Sequence, residues 1–305
     1  MNAIRQPMIY YILPFLLLVF SGVLLISLNF SLEQNDKEVV DGSLTLTEHD
    51  LEHSKTVNLN GQWEFYSGQL LEPDDFQGGT IKPKQDNYIS VPGSWKGHLT
   101  DGEKLTSKGY ATYRITLNLP DTGKKLGLST NNIISAYRLW INGELVDEKG
   151  KVGKNKETTK PFIAPNVVLL EPMGNQAEIV IQVANFSQRI AGLFASVELG
   201  EYEHLKQIMN RKAVVESVLV GVILITGLHH IFLFIRMRNR FDSLWFGLMC
   251  FVLGVKNGTD GQYVLSLFFP DLSNNVFLII EYIGFIASPP LFALFIYSFF
   301  PGIMP

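Results

Sequence analysis

The sequence predicts an all-β sandwich held outside a membrane, followed by α-helical membrane-spanning segments. Three observations carry this. Residues 40–200 break into short alternating runs separated by turn residues every ten or so positions, the pattern of a β-sandwich. Hydrophobic residues reach 47% and concentrate outside that stretch. Ala213 to Ile235 is an apolar run of membrane-crossing length, about 20 residues being enough for a hydrocarbon core of roughly 30 Å.

Residues 1–8 are expected in the cytoplasm, and 9–30 read as a first span. Ile9 to Leu28 is uncharged, Arg5 precedes it, and Glu33, Asp36 and Glu38 follow. The run is long for a cleaved signal peptide and lacks a small-x-small exit, so an uncleaved signal anchor is the reading favoured. Candidate strands are Gln62–Tyr66, Tyr110–Leu119, Lys125–Thr130, Ser135–Ile141, Val167–Leu170, Glu178–Ala184 and Ala195–Leu199. Period-2 alternation sends Tyr137, Leu139 and Ile141 to one face and Arg138 and Trp140 to the other. Asn142-Gly143 supplies the two positive-φ residues of a tight hairpin turn. Trp63, alternating with Phe65, is assigned to the core. No helical pattern of ten residues interrupts these strands.

Residues 201–212 contain neither Gly nor Pro, so a stiff helical linker running into the span 213–235 is predicted. Arg236, Arg238 and Arg240 follow it and place that end in the cytoplasm by the positive-inside rule. Further spans are predicted over 241–258 and 276–300. Lys256–Asn275 then forms an outer loop, and Pro289-Pro290 a kink. Glu216, Glu281, His229 and His230 are expected near the membrane interfaces, where ionisable groups cost least.

Composition excludes several classes. Lys+Arg 25 against Asp+Glu 29 gives a net charge of −4, and no basic block stands out, so nucleic acid is excluded as a partner. A single cysteine, Cys250, leaves no disulfide framework and no zinc set. The outer acids Asp74-Asp75, Asp147-Glu148 and Glu201 lie in turns or linkers, without the paired geometry of a glycosidase. With no G-x-S-x-G, H-E-x-x-H or P-loop, the chain reads as no enzyme and no cofactor is expected.

The ordered series Asn60-Gly-Gln-Trp-Glu-Phe65, Val91-Pro-Gly-Ser-Trp95, Gly109-Tyr-Ala-Thr-Tyr-Arg114, Tyr137-Arg-Leu-Trp-Ile-Asn-Gly143 and Val183-Ala-Asn185 resembles the jelly-roll of galactose-binding-like domains, including the sugar-binding domain of glycoside hydrolase family 2. The resemblance spans roughly 150 residues and implies a jelly-roll sandwich, with sugar binding as an expectation. A sugar site needs aromatic faces and a few well-aimed polar groups. Trp95, expected at the mouth of the Gly93–Lys108 loop, is therefore a candidate with Arg138 and Trp140; Arg114 and Asn142 stand behind them.

Gly227-Leu-His-His230, Arg236–Arg240, Leu244-Trp-Phe-Gly247, Glu281-Tyr282 and Phe300-Pro301 resemble the opening helices of bacterial seven-transmembrane receptors with diverse intracellular signalling modules. That family carries a jelly-roll outer domain before the helices and an effector after them. Three of its seven helices fall within this sequence and no effector does, so a truncated receptor, a split gene product or a degenerate copy is the expectation, sited in the plasma membrane with its ectodomain outside. Implied partners are a small polar ligand, carbohydrate included, the lipid bilayer, a cytoplasmic effector domain or partner protein, and a second copy in a homodimer. The alternative is a membrane-tethered carbohydrate-binding or adhesion protein, or an accessory subunit, without signalling output.

Overall fold

The computed structural model describes residues 37–53, 55–78, 83–100, 102–130, 133, 135–269, 272 and 274–300. The predicted cytoplasmic residues 1–8 and first span 9–30 lie outside them. The chain divides into two compact units, one built from residues 32–210 and one that includes 211–305.

The first unit contains β1 (Ser43–Thr45), α1 (Glu48–His53), β2 (Thr56–Asn58), β3 (Gly61–Ser67), α2 (Pro73–Phe76), β4 (Asn87–Val91), β5 (Leu99–Thr100), β6 (Glu103–Lys104), β7 (Gly109–Asn118), β8 (Leu126–Thr130), β9 (Ala136–Ile141), β10 (Glu144–Lys149), β11 (Asn166–Leu170), β12 (Gln176–Asn185) and β13 (Val197–Glu201). A seven-stranded sheet runs β10-β9-β12-β7-β3-β4, with β1 also pairing β7, and a four-stranded sheet runs β11-β8-β13-β2. All these pairings are antiparallel except β1 with β7.

Alternation along the strands decides what lies between the sheets. Trp63 and Phe65 on β3, Tyr113, Ile115 and Leu117 on β7, Leu139 on β9, and Ile179, Ile181 and Val183 on β12 point inward; Val57, Leu128, Leu170 and Leu199 meet them from the smaller sheet. Trp63 is fully buried and its indole donates to the Leu59 carbonyl at 2.8 Å, which satisfies the polar edge that burial would otherwise penalise. The predicted turn forms as read: Asn142 and Gly143 have φ of 50° and 87°, and β9 pairs β10 from Ile141↔Glu144 onward.

In the second unit the structure places α4 (Phe241–Asn257), α5 (Val264–Phe268) and α6 (Asn274–Phe299). Preceding them, α3 (Tyr202–Arg236) is one continuous helix of 35 residues over the predicted linker and span. By length and composition α3 and Asn275–Phe299 of α6 are apolar enough to cross a membrane. With 17 residues, α4 rises roughly 26 Å and ends one residue before the predicted boundary of its span. The predicted outer loop differs too: its first two residues finish α4, and α5 occupies its middle. Helix α6 continues through Pro289 and Pro290.

Close helix packing in this unit runs through glycine. A Cβ on Gly227 would stand 2.9 Å from the Gly247 carbonyl oxygen and 2.9 Å from the Phe251 amide nitrogen; one on Gly247 would meet the Gly227 carbonyl oxygen at 2.9 Å. Small residues let helix backbones approach where no hydrophobic drive separates helix from lipid. His230 is fully buried, edge-on to Phe246 at 4.7 Å, whereas His229 is exposed. Glu216 accepts the Gln262 amide proton at 2.7 Å. Packing thus engages both Glu216 and His230 within this unit.

Candidate functional site in the β-sandwich

Adjacent strands in register put one residue of each into a row across the sheet. On the face turned away from the core, Leu145, Trp140, Val180, Arg114, Glu64 and Tyr88 form one such row. Arg138, Gln182, Thr112 and Tyr66 form the next. Three of the five sequence candidates, Arg114, Arg138 and Trp140, therefore share a face, as alternation predicts for the last two.

That face is not open. The segment from Gly68 to Phe76 lies across it as a strap. The Leu71 amide donates to the Thr112 hydroxyl at 2.9 Å, that hydroxyl donates to the Gln69 carbonyl at 2.9 Å, and the Gln182 amide donates to the Leu71 carbonyl at 3.0 Å. Val152 and Leu70 pack with Ala136, Ala184 and Tyr110 beside it. Beneath the strap Arg114 binds Glu178 through Nε at 2.7 Å and Glu64 through Nη1 at 3.0 Å, its guanidinium carbon 4.7 Å from the Phe76 ring centre. Burial opposes its charge, but the carboxylates of Glu178 and Glu64 outweigh that and hold the guanidinium above its ordinary pKa. Burial, with Glu64 at 2.7 Å, pushes the Tyr66 phenol up as well. Arg114 thus has its Nε and Nη1 engaged inside the domain, and its geometry is that of a structural ion-pair triad.

The remaining candidates separate. Trp95 is not at a loop mouth: it is 2% exposed, with its ring 6.5 Å from Tyr113 and 6.4 Å from Phe65 on the core side. Its indole donates to the Thr106 carbonyl at 3.0 Å and its amide to Ala191 at 3.2 Å. The physical reason is that an apolar core recruits the large ring and the loop supplies a carbonyl for its one donor. Trp140 is buried to 6% exposure on the outer face. Neither tryptophan presents an open ring face to solvent. Arg138 is half-buried and pairs with Glu148 at 2.9 Å.

Asn142 lines a groove of ≈ 460 Å³ with Ile141, Glu144, Val146, Leu169, Glu171, Pro172 and Met173. Its amide donates to the Glu171 carbonyl at 2.6 Å and its carbonyl oxygen accepts the Glu178 amide at 2.8 Å, tying the β9–β10 turn to the β11–β12 connection. The exposed Glu144 and Glu171 supply carboxylate acceptors at this groove, suited to hydroxyl or ammonium donors. Among the described residues no cluster of His, Cys, Asp and Glu could hold a metal ion.

Sequence reasoning missed Asn185. Its amide donates to the carbonyls of Ser107, Gln188 and Ile190 at 2.8–3.1 Å and its oxygen accepts the Gln188 amide at 2.9 Å. The Val183-Ala-Asn185 motif thus staples two loops. Its signal was there: an Asn closing an apolar alternating strand is placed to satisfy backbone that the strand no longer pairs.

Comparison with known proteins gives the following. The chain covers 28% of the length of a β-glucuronidase from Ruminococcus gnavus solved with uronic deoxynojirimycin, which covers 48% of this chain at 17% identity and TM-score 0.36. A glycosyl hydrolase family 2 member from Bacteroides cellulosilyticus gives 15% identity, 48% of this chain, 20% of the other, and TM-score 0.36. A β-glucuronidase from Faecalibacterium prausnitzii gives 16%, 47%, 31% and 0.34. Likeness at this level carries neither ligand nor activity to this chain. Among curated proteins no match is found. Residues 212–302 match the family described as 7TM diverse intracellular signalling, so the resemblance read from the helix motifs holds over this membrane part of the chain.

Proposed function

We propose that the chain is the sensory part of a multi-pass membrane receptor. Its β-sandwich stands outside the cell, binds a small polar ligand such as a carbohydrate, and acts through the helices on a cytoplasmic effector. One observation carries this reading: a β-sandwich unit is followed in the same chain by residues 212–302 with the likeness of a seven-transmembrane signalling region. No enzymatic role is assigned. The groove beside Asn142 is the proposed ligand seat, since Glu144 and Glu171 are exposed there while Trp95, Trp140 and Arg114 are engaged in the fold.

Sidedness is tested by cysteine labelling in a Cys250→Ser background, which removes the chain's one thiol. A membrane-impermeant maleimide is expected to label Glu157→Cys in intact cells and Asn239→Cys only after permeabilisation. The opposite pattern refutes the topology. Ligand binding is tested by calorimetry of the wild-type chain against a glycan panel, with Glu171→Gln and Glu144→Gln expected to weaken any hit. Unchanged affinity in both removes the groove from the proposal.

A further inference from the structure

We propose that the β-sandwich carries, apart from the Asn142 groove, a docking surface for a soluble anionic polymer, formed by the lysine hairpin 151–160. In the sequence the lysines are dispersed as Lys149-Gly-Lys-Val-Gly-Lys-Asn-Lys-Glu-Thr-Thr-Lys160, which hides them from a search for a basic block. The fold gathers them. Lys151 and Lys160 pair across the base of the hairpin through two backbone hydrogen bonds, at 2.7 and 3.0 Å. At its tip the Asn155 side chain accepts the Thr158 amide at 2.9 Å and the Thr158 hydroxyl at 2.7 Å. Val152 anchors it on the sandwich by packing with Ala136 and Ala184. The result is a backbone held in one shape with Lys151, Lys154, Lys156 and Lys160 all exposed.

These four cations are not neutralised by the fold. Among the described residues, ion pairs are made by Lys37, Arg114, Arg138, Lys149, Arg240 and Lys256, and none by the four. The one acid of the hairpin, Glu157, is exposed and makes no pair. A patch of four unpaired cations in a chain of net charge −4 is a local reversal of sign, and such fields attract counter-charge.

Two features indicate the kind of partner. The ammonium is a point charge on a flexible stem, suited to many loosely spaced anions, whereas a single phosphate is gripped by the fork of arginine; the four are all lysine. Strand register then places the hairpin. It follows the end of β10, where Lys149 pairs Tyr137, and precedes the start of β11, where Asn166 pairs Thr130; β12 finishes at this end and β7 begins. The chain leaves β13 at the other end, where Glu201 pairs Leu126 and Gln176 pairs Asn118. The four cations thus stand at one end of the sandwich, opposite the exit of β13 within this unit, and repeated negative charge along a polymer is what such a spread of ammonium groups matches.

The test uses the full chain in nanodiscs of neutral phosphatidylcholine, with three probes: polygalacturonate, neutral dextran, and separate vesicles containing phosphatidylglycerol. The variant replaces Lys151, Lys154, Lys156 and Lys160 together by Gln, all at exposed positions that leave the backbone pairing intact; far-UV circular dichroism checks its fold. Polygalacturonate is expected to bind wild type, to bind the variant at least about tenfold more weakly, and to be released by about 1 M salt, where screening acts within roughly 3 Å. Equal binding to wild type and variant overturns the proposal, as does no binding to polygalacturonate. Binding confined to the phosphatidylglycerol vesicles overturns it in favour of a membrane contact. Dextran bound equally by both proteins leaves saccharide binding by the receptor standing while giving the hairpin no part in it.

Discussion

Replacing Arg114 by Ala removes the centre of a triad and leaves Glu64 and Glu178 facing each other beneath the strap. The three side chains are 25%, 17% and 18% exposed, so this is neither a surface pair nor a fully buried one. A surface ion pair is worth about 0–1 kcal/mol, and removing one partner of a buried pair costs roughly 3–5 kcal/mol. Partial screening at one-quarter exposure brings the expected loss to about 2–3 kcal/mol, including about 0.5–1 kcal/mol from the guanidinium over Phe76. Arg138→Ala is the internal control: its partner Glu148 is 36% exposed, so the expected loss is at most about 1 kcal/mol. Urea unfolding is read by tryptophan fluorescence in a Trp245→Phe background, where the remaining three of four tryptophans all lie in the sandwich. Arg114→Lys keeps the charge but loses the fork, and falls between wild type and Arg114→Ala. A loss in Arg114→Ala no larger than in Arg138→Ala refutes the triad as a stabilising element.

Other outcomes follow from the same geometry. Trp95→Ala, which empties a core site and orphans the Thr106 carbonyl, should destabilise the sandwich by about 3–5 kcal/mol in the same titration; a ligand effect without a stability effect would contradict its placement. Gly227→Val must push α4 away from α3 and should lower the thermal stability of the chain in micelles, whereas Gly221→Ala, with nothing within 4 Å of its Cβ, serves as a silent comparison; equal melting of the two variants would remove the glycine contact. Asp50 depends on pH. Burial raises its pKa, but hydrogen bonds from Lys37 and Thr47 outweigh this and hold the carboxyl well below the usual 3.8. Its stabilisation is therefore complete above the unfolded value and is lost as pH falls toward the folded one. The stability difference between wild type and Asp50→Asn should be present at neutral pH and shrink below about pH 4. A difference that grows on acidification refutes the assignment.

The long strands were legible because alternation and turn chemistry agreed: Ile179, Ile181 and Val183 alternate, and Asn142-Gly143 fits one turn only. Strands β1, β2, β4 and β10 were not. Two have three residues, β4 is an edge, and β10, Glu144–Lys149, is mostly polar and interrupted by a register shift after Leu145. Short or edge strands are fixed by their neighbours rather than by their own period. Helices α1 and α2 are too short to show a period at all. The site was legible only in part. Alternation put Arg138 and Trp140 on one face, but the partners of Arg114 lie 50 and 64 positions away, and only the pairing register brings them together. The aromatic motifs read as sugar contacts proved to be core and loop staples, because residue type alone does not tell a ring that is buried from one that is offered.

The strap has a mechanical corollary for the large sheet. With the strap over the outer face, sliding β7 or β12 by one position would drive Arg114 or Glu178 into the apolar interior and turn Ile115 or Ile179 out of it. Each alternative alignment is penalised on two sides at once, so β7 and β12 are keyed together like a zip with teeth on both edges. Variation in this domain is then tolerated at the connections between strands, and the sheet itself is a rigid mount for whatever those connections recognise.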